Sequence, residues 1–220
     1  MKRERFVSAV AGLGVAISLS DATLAAPTPK PATPGTFKFN FQGLYIYSTR
    51  SPNSDTNYAA LTVRVGIKHT QAKKYIGDNK KGNVAIDLNV TVDVPNDAAV
   101  PVVVAWTVIN DDEGSGKALD LVGNIGLGVV GVALTYVPVV GAILATIYGA
   151  LVNPFRSHNG PVVVQQYVTD GAALNRIPIG KGGGPLNGTA EAHGAKDAGR
   201  DLPGKEGSDY ESYAWVSRVA

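Results

Sequence analysis

The 220-residue sequence has no cysteine and one methionine, and Asp, Glu, Lys and Arg together make up only 17% of it. Lacking cysteine, the chain has neither a disulfide framework nor a thiolate to hold a metal or attack a substrate. Its stability must come from packing or from a ligand. Twenty basic and eighteen acidic residues leave a net charge of +2 with no block of like charge. That excludes a dedicated nucleic-acid binder, which concentrates cations against phosphates. Histidine is also scarce. His69, His158 and His193 never stand at i, i+4 to one another, and no HExxH occurs, so no zinc centre is read. Glycine is abundant, with 26 residues against an ordinary share of roughly 7%.

The N-terminus reads as a secretory signal. Lys2, Arg3 and Arg5 precede a small, mostly apolar stretch from Phe6 to Ser20, and Thr23 and Ala25 suit cleavage between Ala25 and Ala26. The apolar stretch falls short of the ~20 residues a membrane span needs. Residues 1–25 are thus expected to be removed, placing the protein in the periplasm or outside the cell. Residues 26–35, overlapping PTPKPATPGT at 27–36, form a proline-punctuated, extended spacer.

Residues 37–110 alternate with the period of strands buried on one face. Phe37, Phe39 and Phe41 interleave with Lys38, Asn40 and Gln42. Leu61, Val63, Val65 and Ile67 interleave with Thr62, Arg64, Gly66 and Lys68, and a third run spans Val84 to Val94. Gly43 marks a bulge, after which Leu44, Tyr45, Ile46 and Tyr47 read as covered on both sides. Pro101 to Ile109 is apolar throughout, as in a central or capped strand. Val162 to Val168 and Tyr210 to Val219 add two strands, and Leu174 to Ile179 a weaker one.

From Leu121 to Phe155 run 35 residues without a charge. Pro138 divides them, so the pattern predicts an α-helical hairpin. Gly141, Ala145 and Gly149 form a small-residue stripe on the second arm that would let helices approach closely. The segment resembles, over its own length only, the hydrophobic helical hairpins of pore-forming toxins, a likeness that implies membrane insertion. The competing expectation is a hairpin packed on the sheet.

Other motifs carry less. Gly126 to Gly131 matches GxGxxG, but no acidic residue follows about twenty positions on to take a ribose. Gly180-Lys181-Gly182 lacks the hydroxyl residue of a phosphate loop. Asp111, Asp112 and Glu113 end a strand in a glycine-containing loop, where clustered carboxylates suit a weak calcium site together with Asp55. Synaptotagmin-like sandwiches bind calcium in this manner, at one end through acidic loops. Of Tyr210, Tyr213 and Trp215, one or two are expected in the core, and any left exposed is a ligand-binding candidate.

The expected architecture is mainly β. One antiparallel β-sandwich over residues 36–220, immunoglobulin-like or synaptotagmin-like in strand order, carries the apolar hairpin at about 117–155 and a mobile glycine-rich loop at 180–208. The expected function is non-enzymatic interaction, the hairpin making membrane contact or self-association through Pro138, Gly141, Ala145 and Gly149, with no cofactor. Two alternatives stand beside it, a soluble calcium- or glycan-binding module and a hydrolase with a dispersed active site.

Overall fold

Two four-stranded antiparallel sheets face each other across one apolar core in the computed structural model, which describes residues 33–49, 51, 53–111, 117–132, 160–180, 184–186 and 209–220. In chain order the elements are β1 (Gly35–Ser48), β2 (Asp55–Val65), β3 (Lys68–Asn79), β4 (Gly82–Val94), β5 (Pro101–Asn110), α1 (Ala118–Val132), β6 (Gly160–Asp170), α2 (Gly171–Leu174), β7 (Gly184–Pro185) and β8 (Asp209–Arg218). The first sheet has the order β4-β1-β8-β7 and the second β3-β2-β5-β6.

The alternating phenylalanines explain the first sheet. Phe37, Phe39 and Phe41 are fully buried, and each contributes roughly 2–3 kcal/mol by leaving water. Val90, Leu88 and Ile86 of β4 join them from one side, Val216, Ala214 and Tyr210 of β8 from the other. The bulge expected at Gly43 is present as a register shift between Phe41 and Gly43. A Cβ on Gly43 would lie 2.5 Å from the Val84 carbonyl oxygen, so only glycine fits there. The shift reverses the parity of the strand, which corrects the reading of β1 as covered on both sides beyond the bulge. Leu44 and Ile46 turn inward, while Tyr45 is half-buried and Tyr47 exposed on the outer face.

Two further expectations are revised. The run from Leu61 to Lys68 is a hairpin rather than one strand. Gly66 and Ile67 form its two-residue loop, with φ of 59° at Gly66, the position where a II′ turn takes glycine. Leu174 to Ile179 is not a strand, because Asp170 caps α2, its carboxylate accepting from the Ala173 N–H at 2.8 Å. Within the glycine-rich 180–208 stretch, Gly184 and Pro185 pair with Val216 and Trp215.

β5 is apolar on both faces because it is both central and capped. Val102, Val104, Trp106 and Val108 face the sandwich core, while Val103, Ala105 and Ile109 pack with Val122, Ile125, Val129 and Val130 of α1 on the outside. Side-chain donors of the second sheet hold the helix by its backbone. Gln71 Nε2 donates to the Gly123 carbonyl at 2.8 Å, Thr107 Oγ1 to Val122 at 3.1 Å, and the Arg64 guanidinium to Val130 and Gly131 at the negative C-terminal end. Gly123 and Gly126 lie against Gln71 and Thr62 and permit this close approach. The first arm of the expected hairpin is therefore a packed helix. Its second arm, with Pro138, Gly141, Ala145 and Gly149, lies outside the described residues, as do residues 1–32. Among the described residues no helix is long and apolar enough to cross a membrane.

Candidate functional site

The antiparallel register brings the two ends of the chain's β-structure onto one open surface, the outer face of the first sheet. Asn89 of β4, Asn40 of β1, Trp215 of β8 and Pro185 of β7 form one row across it. In the next row Ala85 and Gly43 stand beside Tyr213, and in the third Asn83 and Tyr45 stand beside Glu211. Parity in β8 sends Tyr210, Ala214 and Val216 into the core and leaves Tyr213 and Trp215 outside, 39% and 36% exposed. Tyr47, 49% exposed, extends the aromatic strip, with its ring centroid 4.6 Å from that of Tyr45. Of the three aromatic residues singled out in the sequence, one thus enters the core and two remain available to a ligand.

Polar groups surround the rings. Tyr47 Oη donates to Glu211 Oε2 at 2.8 Å, and this bond holds the Tyr47 phenol above the ordinary tyrosine range. Partial burial, then a hydrogen bond to Glu211, raises Tyr213 as well. Beside the Trp215 row, Asn40 Nδ2 donates to Asp87 Oδ1 and to Asn89 Oδ1, both at 2.8 Å, and Asn89 Nδ2 donates to Asp87 Oδ1 at 3.1 Å. These bonds, from Asn89 first and then Asn40, hold the Asp87 carboxyl below its usual range, helped by the nearby charges of Lys38 and Lys74. Asp87 sits at φ 50°, a left-handed conformation that L side chains other than asparagine and aspartate seldom adopt. It occupies the β4 side of the Gly43 bulge, where the register of the two strands slips.

The carboxylates read from the sequence are placed differently. Asp55 opens β2 and is fully buried, bridging the two sheets. Its Oδ2 accepts from Tyr210 Oη at 2.5 Å, and its Oδ1 accepts from the Ser51 N–H at 2.9 Å and from Asn110 Nδ2 at 3.3 Å. Asp111 is nearly buried at the same end, its N–H donating to the Thr56 carbonyl at 2.9 Å. Asp55 and Asp111 do share one end of the sandwich, whereas Asp112 and Glu113 lie outside the described residues. Among the described residues no three His, Asp or Glu side chains are grouped to hold a metal ion. His69 lies on β3, and the other two histidines are outside the described residues. A groove of about 550 Å³ at the opposite end, between the β2–β3 hairpin and the β4–β5 loop, is lined by Val63, Val65, Val92 and Val100 together with the polar Lys68 and Asp93.

Sequence reasoning passed over Asn40, Tyr45, Tyr47, Asp87 and Glu211. The alternation in β1 pointed to Asn40, but the tyrosines needed the parity change at Gly43, and nothing local marks Asp87.

No protein-family model matches the chain, and no curated protein matches its sequence. Solved structures similar to it include human GIVD cytosolic phospholipase A2, at 7% identity and a TM-score of 0.41, with 86% of this chain and 17% of that one covered. The chain therefore spans about a sixth of that phospholipase's length.

Proposed function

We propose that the protein is a non-enzymatic binding module that takes carbohydrate on the outer face of its first sheet. The observation that carries this reading is the exposed aromatic strip of Tyr47, Tyr213 and Trp215, set beside the Asn40–Asp87–Asn89 cluster. Sugars present polarised C–H groups that suit the negative face of an aromatic ring, and hydroxyls that suit amides and carboxylates. A rigid sheet holds both kinds of group in place at little entropic cost. The strand order departs from the immunoglobulin-like alternative, in which the first two strands pair, since β1 pairs with β4 and β8 and not with β2. Export through the N-terminal signal fits a glycan outside the cytoplasm.

Affinity electrophoresis of the mature chain through gels containing soluble polysaccharides tests this reading. Retardation by at least one polysaccharide is expected, and Trp215→Ala is expected to weaken it about tenfold, the worth of one stacked ring. A concentration-dependent dimer that Trp215→Ala dissolves, with no polysaccharide bound, would instead make the face a contact between copies.

A second reading keeps the hairpin. The uncharged run continues past α1 through residues 133–155, and membrane contact or self-association through Gly141, Ala145 and Gly149 remains the proposal for that stretch. Vesicle leakage by the parent that is lost when Ala145 and Gly149 are both replaced by glutamate would support membrane insertion; a parent that leaks no vesicles, or a folded double variant that leaks them equally well, would rule out insertion through this face.

A further inference from the structure

A carbohydrate face can be a cup for a single sugar or a track for a chain, and the placement of its rings distinguishes the two. The aromatic residues here are not clustered in a cup. Trp215 and Tyr213 alternate along one strand, about 7 Å apart at strand spacing, and Tyr45 and Tyr47 continue the strip on the neighbouring strand. Beside Tyr213, the β1 and β4 positions of its row are Gly43 and Ala85, which leave the ring's flank free of large side chains. The strip is therefore an elongated platform, suited to several sugar rings in series.

Charges of both signs lie along the platform, with a carboxylate among the tyrosines. Glu211 stands among Tyr45, Tyr47 and Tyr213, Asp87 beside the Trp215 row, and Asp93 further along β4, where it accepts from Thr36 Oγ1 at 2.6 Å. Lys38 lies one row beyond Asn40, and Lys74 reaches in from β3, where its ammonium donates to the Ile86 carbonyl at 2.7 Å. Among the described residues, the two anions closest to the rings form no ion pair. Asp87 Oδ1 takes the amide donors of Asn40 and Asn89, while neither Asp87 Oδ2 nor Asn40 Oδ1 receives a hydrogen bond among the described residues. These two solvent-facing acceptors next to the Trp215 row can exchange water for sugar hydroxyls, which donate, whereas a carboxylated or sulfated sugar would set a further anion beside Asp87 and Glu211.

We infer, resting on the carbohydrate reading of this face, that the ligand is an uncharged oligosaccharide chain lying lengthwise along β8, with sugar rings over Trp215 and Tyr213 and hydroxyls donating to Asp87 and Asn40.

The test extends the gels to neutral xylan, mannan, hydroxyethyl cellulose and starch on one side, and to polygalacturonate and alginate on the other. Whichever neutral polymer retards the protein is then titrated calorimetrically as its oligosaccharides, from monosaccharide to hexasaccharide. At least one neutral polymer should bind and neither acidic polymer should. Affinity should rise on the order of tenfold or more from monosaccharide to tetrasaccharide. Asp87→Asn tolerates the left-handed backbone and should fold like the parent, yet bind the tetrasaccharide about tenfold more weakly. Preference for polygalacturonate or alginate, a monosaccharide bound as tightly as the tetrasaccharide, or full affinity in Asp87→Asn would each overturn the inference while leaving carbohydrate binding intact. Failure to bind any polymer would overturn both.

Discussion

Asp55 and Asp87 both sit on strands, yet their surroundings set them different tasks. Asp55 is buried with both carboxylate oxygens hydrogen-bonded, and through Tyr210 it ties β8 of one sheet to β2 of the other. Removing one partner of a buried charged network leaves the rest unsatisfied, so Asp55→Ala should cost about 3 kcal/mol and Tyr210→Phe about 1.5 kcal/mol in urea unfolding. Asp55 is thus a structural residue, and calcium should leave the melting temperature of the parent unchanged. A calcium-dependent rise that Asp55→Asn abolishes would return it to metal binding. Asp87 is exposed, held in a strained conformation, and contributes acceptors to the surface. The carboxylate of Asp111 was legible as one end of the sandwich because it follows a clear strand. The φ of Asp87 was not, because it arises from pairing with a distant bulge.

Helix α1 shows why a charge-free, glycine-rich segment need not be a membrane element. Its glycines look unfavourable in isolation, at about 1 kcal/mol each against alanine. Two of them are explained by the sheet below. A Cβ on Gly126 would lie 2.5 Å from Thr62 Oγ1, which also accepts from Gln71 Nε2, whereas a Cβ on Gly131 would meet nothing within 4 Å. Gly126→Ala should therefore lower the melting temperature despite its better helix propensity, and Gly131→Ala should raise it, by up to about 1 kcal/mol in stability. If both substitutions stabilise equally, the close packing of α1 on β2 is wrong. The capping of β5 was legible, since PVVVAWTVI is apolar on both faces. The β2–β3 hairpin was not, because Ile67, 89% exposed at its tip, continues the apolar alternation through the turn.

For the whole molecule, the strong alternation of β1, β2 and β4 pointed to a two-sheet architecture, and strand order came only with the pairing. The site emerges at that level. Tyr45, Tyr47, Tyr213 and Trp215 are separated by some 170 residues of sequence, and only the pairing of β1 with β8 places them on one face. The chain's two tryptophans make this face directly observable, since Trp106 is 2% exposed in the core, its Nε1 donating to Ser212 Oγ at 3.0 Å, and Trp215 is 36% exposed on the strip. Acrylamide quenching of tryptophan fluorescence, with and without a saturating bound oligosaccharide, reads the occupancy of the strip. The ligand should remove most of the accessible quenching, and a Trp215→Phe variant should show little quenching in either state. Saturable binding that leaves quenching of Trp215 unchanged would contradict a carbohydrate site on this face.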